Sequence, residues 1–389
     1  MSSRTGLLVA LATAAAGCVH HVETATAEKP PAPPLTKPDR TIYFEPVIIK
    51  GAPEQVAISS LNDAELYAIG QAAMGGGDNV KAALHFERLA DFFPNSKYRP
   101  EALHKAGLLL ERMKDYAGAL SRFMEASKAY GETAEGAEAR FKAADEYFFL
   151  GEYNSAIDLL EPLSYATYIP GVRHAEADTK RAVCLFNAGR LDESEKVLRK
   201  TLKAIQDELR DDTRDGYLPS QAQFYLAEIF RQHFLDVKLD PTNRTQAELL
   251  QDLEYKAQML LSAQGHYLRC IRVGHGEWAT ASGYRIGELY QALYESMVDA
   301  KPPSDLDADQ VDVYREELKN RIRVLVTKAI DAYEQTLATA ERVHATNPFV
   351  QETRSQLEKM KGLMVKEQET ATGSKTPPAT TKAKTPDQS

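Results

Sequence analysis

Four stretches of this chain repeat one another at a nearly constant interval. "NVKAALHFERLADFFP", "DYAGALSRFMEASKAYG", "EYNSAIDLLEPLSYA" and "RLDESEKVLRKTLKA" align at Ala82, Ala119, Ala156 and Ser194, in steps of 37, 37 and 38 residues. Within each stretch the apolar residues recur every three or four positions, which is the period of an amphipathic helix and not of a strand. A repeat of this length marks a solenoid of stacked helix pairs, because one pair cannot bury its apolar face without the next. A loose bundle of helices would not keep a constant step. The expected fold class is therefore all-α.

The positions inside the repeat resemble those of tetratricopeptide repeats. In that family a small residue on the first helix (A) of each pair lies against a large residue on the second (B). The first unit offers Gly70, Ala82, Phe86, Leu89 and Pro94, and the second Gly107, Ala119, Phe123 and Ala126. The third offers Ala144, Tyr147, Ala156, Leu160 and Leu163, and the fourth Ala182, Leu185, Ser194 and Leu198. The units are longer than the ~34 residues usual for the family. The resemblance implies an α-solenoid of helix pairs over residues 61–206, with one face of the A helices available to a partner.

After Ile205 the run "QDELRDDTRDGYLPSQ" breaks the regularity with charge and a turn at Gly216 to Pro219. Helices are expected again at about Gln221–Phe234, Ala247–Val273, Trp278–Met297 and Tyr314–Val343. Gly287 and Tyr290 look like helix A positions, with Ala329 and Tyr333 as their helix B counterparts. Residues 207–365 are read as degenerate helical repeats. The polar stretch 366–389 has almost no large apolar residue, so it is read as a disordered tail.

The N-terminus has the outline of an export signal: Arg4, an uncharged apolar run from Leu7 to Ala16, then small residues. The run is too short to span a bilayer as a helix. Ala15-Ala16-Gly17-Cys18 resembles the lipobox of bacterial lipoproteins, which implies cleavage after residue 17 and acylation of Cys18. The alternative is an ordinary secretory signal with Cys18 incidental. Residues 18–60 form a proline-rich tether that excludes helix, and "TIYFEPVIIK" within it is apolar enough to lie on the folded body. A spacer after an acylation site lifts a folded body off a membrane. Val19 stands where inner-membrane lipoproteins commonly carry aspartate, so the resemblance implies the periplasm-facing leaflet of an outer membrane.

Composition removes several classes of function. A formal net charge of -9 is wrong for a nucleic-acid binder, which needs a basic stripe. No glycine loop for phosphates, nucleophile elbow, zinc motif or paired Cys-x-x-Cys occurs, so no enzyme activity, cofactor or metal is expected. "MGGGDN" at Met74–Asn79 and "GHGEW" around His275 read as turns between helices. Cys184 and Cys270 lie in helical patterns, where buried free thiols are expected. Asp305, Asp307, Asp309 and Glu316 have the spacing of a calcium loop, but Gln310 replaces the glycine that its sharp turn needs. An acidic helix start accounts for them instead.

A binding surface remains. Carrying the groove positions of the tetratricopeptide family onto this chain gives Tyr67, Gln71, His104, Leu108, Glu111, Phe141, Asp145, Phe148, Val183 and Phe186. The basic clamp that some members use is missing, so apolar and aromatic anchors are expected; equally, several of these aromatics could pack between helices. Cys18 and the repeats together resemble scaffold lipoproteins of bacterial envelope machines. These include a gliding-motility lipoprotein of myxobacteria and a component of outer-membrane β-barrel assembly. That resemblance implies a lipid-anchored, non-enzymatic scaffold whose partners are other cell-envelope proteins. A peptidoglycan-associated enzyme accessory is the alternative from a different class.

Overall fold

The structure is a computed structural model and describes residues 50–52, 55–57, 61–240, 245–298, 302 and 306–373. Cys18, most of the proline-rich tether and the end of the tail lie outside these residues. Two short strands, β1 (Lys50–Ala52) and β2 (Gln55–Ala57), pair antiparallel with Gly51 opposite Val56. From Leu61 onward every regular element among the described residues is helical, as the period predicts.

Twelve helices form six consecutive pairs. They are α1 (Asp63–Gly75) with α2 (Asn79–Phe92), α3 (Arg99–Arg112) with α4 (Tyr116–Tyr130), and α5 (Ala134–Phe149) with α6 (Tyr153–Leu160). The series continues with α7 (Gly171–Asn187) and α8 (Leu191–Asp207), α9 (Tyr217–Asp236) and α10 (Gln246–Val273), then α11 (Gly276–Val298) and α12 (Ala308–Arg342). A last helix, α13 (Pro348–Gly373), closes the row. Each helix packs against the next in the chain, and α9 also touches α7 and α11. In the first half the core is accordingly a series of small clusters and not one central mass, as expected where contacts run between neighbouring units. The chain is an all-α solenoid of tetratricopeptide-like pairs.

Local chemistry sets the helix ends. Asn62 and Glu65 form a reciprocal capping box at α1, and Thr245 with Glu248 does the same at α10. Asp78 and Asp115 accept from the backbone N–H groups of Lys81 and Gly118, giving α2 and α4 their first turns. In the third unit Pro162 has no N–H to continue α6, and the chain tightens into a 3-10 turn over Glu161–Tyr165. "MGGGDN" and "GHGEW" are turns between α1 and α2 and between α10 and α11, as read.

Small residues let paired helices close together where the sequence placed them. A Cβ on Gly70 would lie 2.8 Å from the buried Phe86 ring, and one on Gly287 only 2.2 Å from Tyr333. Tyr333 and Gly287 sit in α12 and α11, so the irregular half keeps the same packing rule despite its longer helices.

The expectations need correction in four places. Helix α9 begins at Tyr217, not near Gln221, because Pro219 falls in the first turn, where its missing N–H has no intrahelical partner anyway. Helix α13 was not expected as a separate element; its buried Val350, Thr353 and Met360 carry it against the end of the row. It continues past Lys366 to Gly373, so helix occupies the start of the stretch read as a tail. Finally, α12 begins at Ala308 and not near Tyr314, and Asp309 and Glu316 stand on it. Asp307 caps it, accepting from the Gln310 N–H at 2.9 Å. Asp305 lies outside the described residues.

The second half has a larger core with a polar knot inside it. Glu228 on α9 accepts from the buried Tyr267 hydroxyl of α10 and pairs with Arg231 at 3.0 Å and Arg285 at 3.2 Å. Burial pushes Tyr267 well above the usual phenol range, with the Glu228 charge adding to it. Cys184 and Cys270 are free and buried, and burial raises the Cys184 thiol to about 12.

Candidate partner-binding face

The A helices α1, α3, α5 and α7 are joined along one face by polar contacts that recur with the repeat. Lys105, Lys142 and Lys180 occupy one position in successive A helices, and each reaches back to the helix before. Lys105 Nζ donates to Tyr67 Oη at 3.3 Å, Lys142 Nζ to Glu111 at 3.1 Å, and Lys180 Nζ to Asp145 Oδ1 at 2.5 Å. Glu101, Glu138 and Glu176 repeat in the same way, one turn earlier. Arg173 joins two of them, donating to Glu138 across the helix gap and to Glu176 on its own helix.

These groups are half-buried, so their charges feel both burial and one another. Burial works against the Lys180 ammonium, but Asp145 outweighs it and the pKa rises. For Glu176 the balance is reversed: burial raises it in spite of Arg173 and Lys180. Pairs of this exposure contribute roughly 0.2–1 kcal/mol each, so their main effect is to hold the register of neighbouring repeats.

The residues carried over from the family do not all reach this face. Tyr67 is half-buried, stacks on Tyr98 at 4.6 Å and accepts from Gln71 Nε2 at 2.7 Å. His104 lies edge-on to Phe123, and burial lowers its pKa. Leu108, Glu111 and Asp145 remain partly accessible, the last two inside the ladder. Phe148 is half-buried against Tyr153, and Phe186 meets Tyr225 edge-on at 5.6 Å. Phe141, only 2% exposed, belongs to the core, with the Arg173 guanidinium 4.2 Å above its ring. Val183, on α7 where that helix also packs against α9, is buried as well. Apolar anchors are thus fewer than expected, and charge supplies most of the face. Lys105, Lys142, Lys180, Glu138 and Arg173 were missed, although they recur at the interval that revealed the helices.

At the α7–α9 end the face opens into a cleft of about 330 Å³ lined by Glu176, Lys180, Asp212, Asp215, Tyr217 and Gln221. One buried group has no place in the ladder. Glu146 on α5 is fully buried with neither carboxylate oxygen hydrogen-bonded, and burial, with Glu111 and Asp145 nearby, raises its pKa to about 7. Leu109 and Cys184 fill its position in the adjoining units. Among the described residues no three His, Cys, Asp or Glu side chains converge as metal ligands, and no helix is long and apolar enough to cross a membrane.

No family model matches the chain, and no curated protein matches it in sequence. Among solved structures, the MamA protein aligns with 51% of this chain and 91% of its own at 17% identity and a TM-score of 0.36. A tetratricopeptide repeat protein from Parabacteroides merdae ATCC 43184 covers 77% of this chain and 98% of its own, at 13% identity and a TM-score of 0.38. The apo form of RapI covers 79% and 100%, at 10% identity and a TM-score of 0.44.

Proposed function

We propose that this chain is a non-enzymatic protein–protein interaction scaffold, held at a membrane by an acylated Cys18 and working within a bacterial cell-envelope complex. The observation that carries the scaffold reading is the unbroken row of A helices, kept in register from Tyr67 to Lys180 by contacts between successive repeats. A rigid row of this kind offers an extended partner a long surface, and its exposed chemistry is that of binding, with polar pairs beside Tyr67, Leu108 and Phe148. Support for the anchor comes from the Ala-Ala-Gly-Cys step and the proline-rich stretch behind it. On this reading the chain faces the periplasm from an outer membrane, within a machine of the gliding-motility or secretion kind.

Two measurements test it. Photo-crosslinking residues placed at Tyr67, Leu108 and Phe148 should join the chain to envelope-machine proteins, while one at the exposed Arg315 should not. Labelled palmitate should enter the wild-type chain and not Cys18→Ser. Turnover of purified murein by the isolated chain would overturn the non-enzymatic reading, and persistent labelling of Cys18→Ser would overturn the anchor.

A further inference from the structure

The turn between the two helices of a repeat is closed in the same way four times. Asp78, Asp115, Glu152 and Arg190 each donate a backbone N–H to a carbonyl five residues back, at Ala73, Leu110, Tyr147 and Leu185. The residue before each has left-handed backbone. In three turns it is glycine: Gly77, Gly151 and Gly189, with φ of 80°, 78° and 76°. In the second repeat it is Lys114, with φ of 62°. A side chain in this conformation costs roughly 1 kcal/mol relative to glycine. The turn itself does not require it, since the sister turns close with glycine.

The surroundings of Lys114 indicate what it serves. Arg112 and Lys114 are exposed, and neither side chain has an ion pair or hydrogen bond among the described residues. The carboxylates beside them are engaged: Glu111 with Lys142, and Asp115 with the Gly118 N–H. Next to the two cations lies an uncovered apolar patch. The Tyr116 ring stacks on Phe149 at 5.0 Å, yet Phe149 is 54% exposed, and Met113 and Leu150 are also exposed. Exposed apolar side chains of this kind, with aromatic rings and free cations beside them, have the composition of an interface.

We propose that this turn edge, formed by Arg112, Met113, Lys114, Tyr116, Phe149 and Leu150, docks a partner segment that carries a carboxylate beside an aromatic or apolar side chain. Charge selects the occupant. Two unpaired cations, in a chain with a formal charge of -9, favour an acidic segment. A flat anionic bilayer laid on the same edge would also face the exposed Asp78 of the first turn, which a single segment avoids; Glu152, two residues from Leu150, accepts from Ser155 Oγ at 3.4 Å. The surface is separate from the A-helix ladder and does not depend on it.

The test is fluorescence anisotropy with the full chain and a short fluorescein-labelled peptide of alternating glutamate and phenylalanine. Lys114→Gly restores the residue of the sister turns, so it should melt no lower than wild type while binding the peptide about threefold more weakly. Phe149→Ala should lose about tenfold or more. Tyr67→Ala, on the ladder face, should bind as wild type, which separates this surface from the proposed scaffold groove. Unchanged affinity in both Lys114→Gly and Phe149→Ala would overturn the proposal. So would equal binding of a peptide with lysine in place of glutamate, or binding only to phosphatidylglycerol vesicles.

Discussion

A Cβ atom on Gly107 would lie 2.6 Å from Cε1 of Phe123, closer than any relaxed side chain allows. Phe123 is fully buried against α3, so its ring cannot swing aside. Gly107→Ala gains about 1 kcal/mol of helix propensity but overpacks the contact by up to about 3 kcal/mol. The expected net result is a loss of roughly 1–2 kcal/mol. Gly362→Ala on α13 is the control, because nothing lies within 4 Å of its added carbon. Thermal denaturation should show the first variant melting below wild type and the second at or above it.

Glu146 should make the protein more stable in mild acid than its other carboxylates predict. Its folded pKa of about 7 lies above the ordinary 4.5, so the native state holds this proton more tightly than the unfolded chain. Stability contributed at this site is therefore full below about pH 4.5 and declines as pH rises through 7. Leaving a buried carboxyl unpaired costs about 1–3 kcal/mol. Glu146→Leu, which installs the residue type of Leu109 in the preceding unit, should raise stability at pH 8 and have little effect at pH 5. Chemical denaturation of both proteins at the two pH values checks this, and an equal effect at both would exclude a titrating Glu146.

What could be read in advance followed from residues that recur. Gly70 with Phe86, Gly107 with Phe123, and Gly287 with Tyr333 are small–large pairs at fixed separations, and such pairs dictate how two helices meet. The side chains at the candidate face depended instead on the next repeat. Phe141 stands where Tyr67 and His104 stand in their units, but Arg173 from α7 lies over its ring and completes its burial. That contact involves a residue outside the unit in which Phe141 was judged. Helix α13 was hidden for a related reason: among the described residues no helix follows to pair with it, so it leaves no periodic trace. The Lys105, Lys142 and Lys180 series is legible at the repeat interval, but the partner of each lysine lies in the preceding unit.

Lys256 closes the end of α9 from inside the protein. Its ammonium donates to the carbonyls of Phe234 and Val237, both at 2.9 Å, and sits 4.2 Å over the Phe234 ring. Burial, with Lys238 nearby, lowers its pKa to about 8, so holding the charge there is already unfavourable. Lys256→Met keeps the packing stem but takes this donor from the Phe234 and Val237 carbonyls. The expected loss is about 2 kcal/mol. Hydrogen exchange should show it as faster opening of the α9 C-terminus, with α1 to α4 unaffected because contacts run only between neighbours.

Asp145 and Lys180 provide the cleanest measure of what the ladder contributes. Their side chains are 30% and 28% exposed, so water and salt screen the pair without abolishing it. Asp145→Asn and Lys180→Met separately remove one charge from the contact between α5 and α7. The double variant should be less destabilised than the sum of the two, with a coupling of about 0.5–1 kcal/mol at low ionic strength. High salt should reduce that coupling to roughly half or less, since both charges remain open to counterions. A coupling that is absent at low salt would mean that the apolar cluster of Phe141, Leu160 and Ala177 aligns these repeats on its own, leaving the ladder free for a partner. A coupling of the expected size means that an incoming segment must displace intramolecular pairs, which makes its affinity modest and its binding dependent on salt.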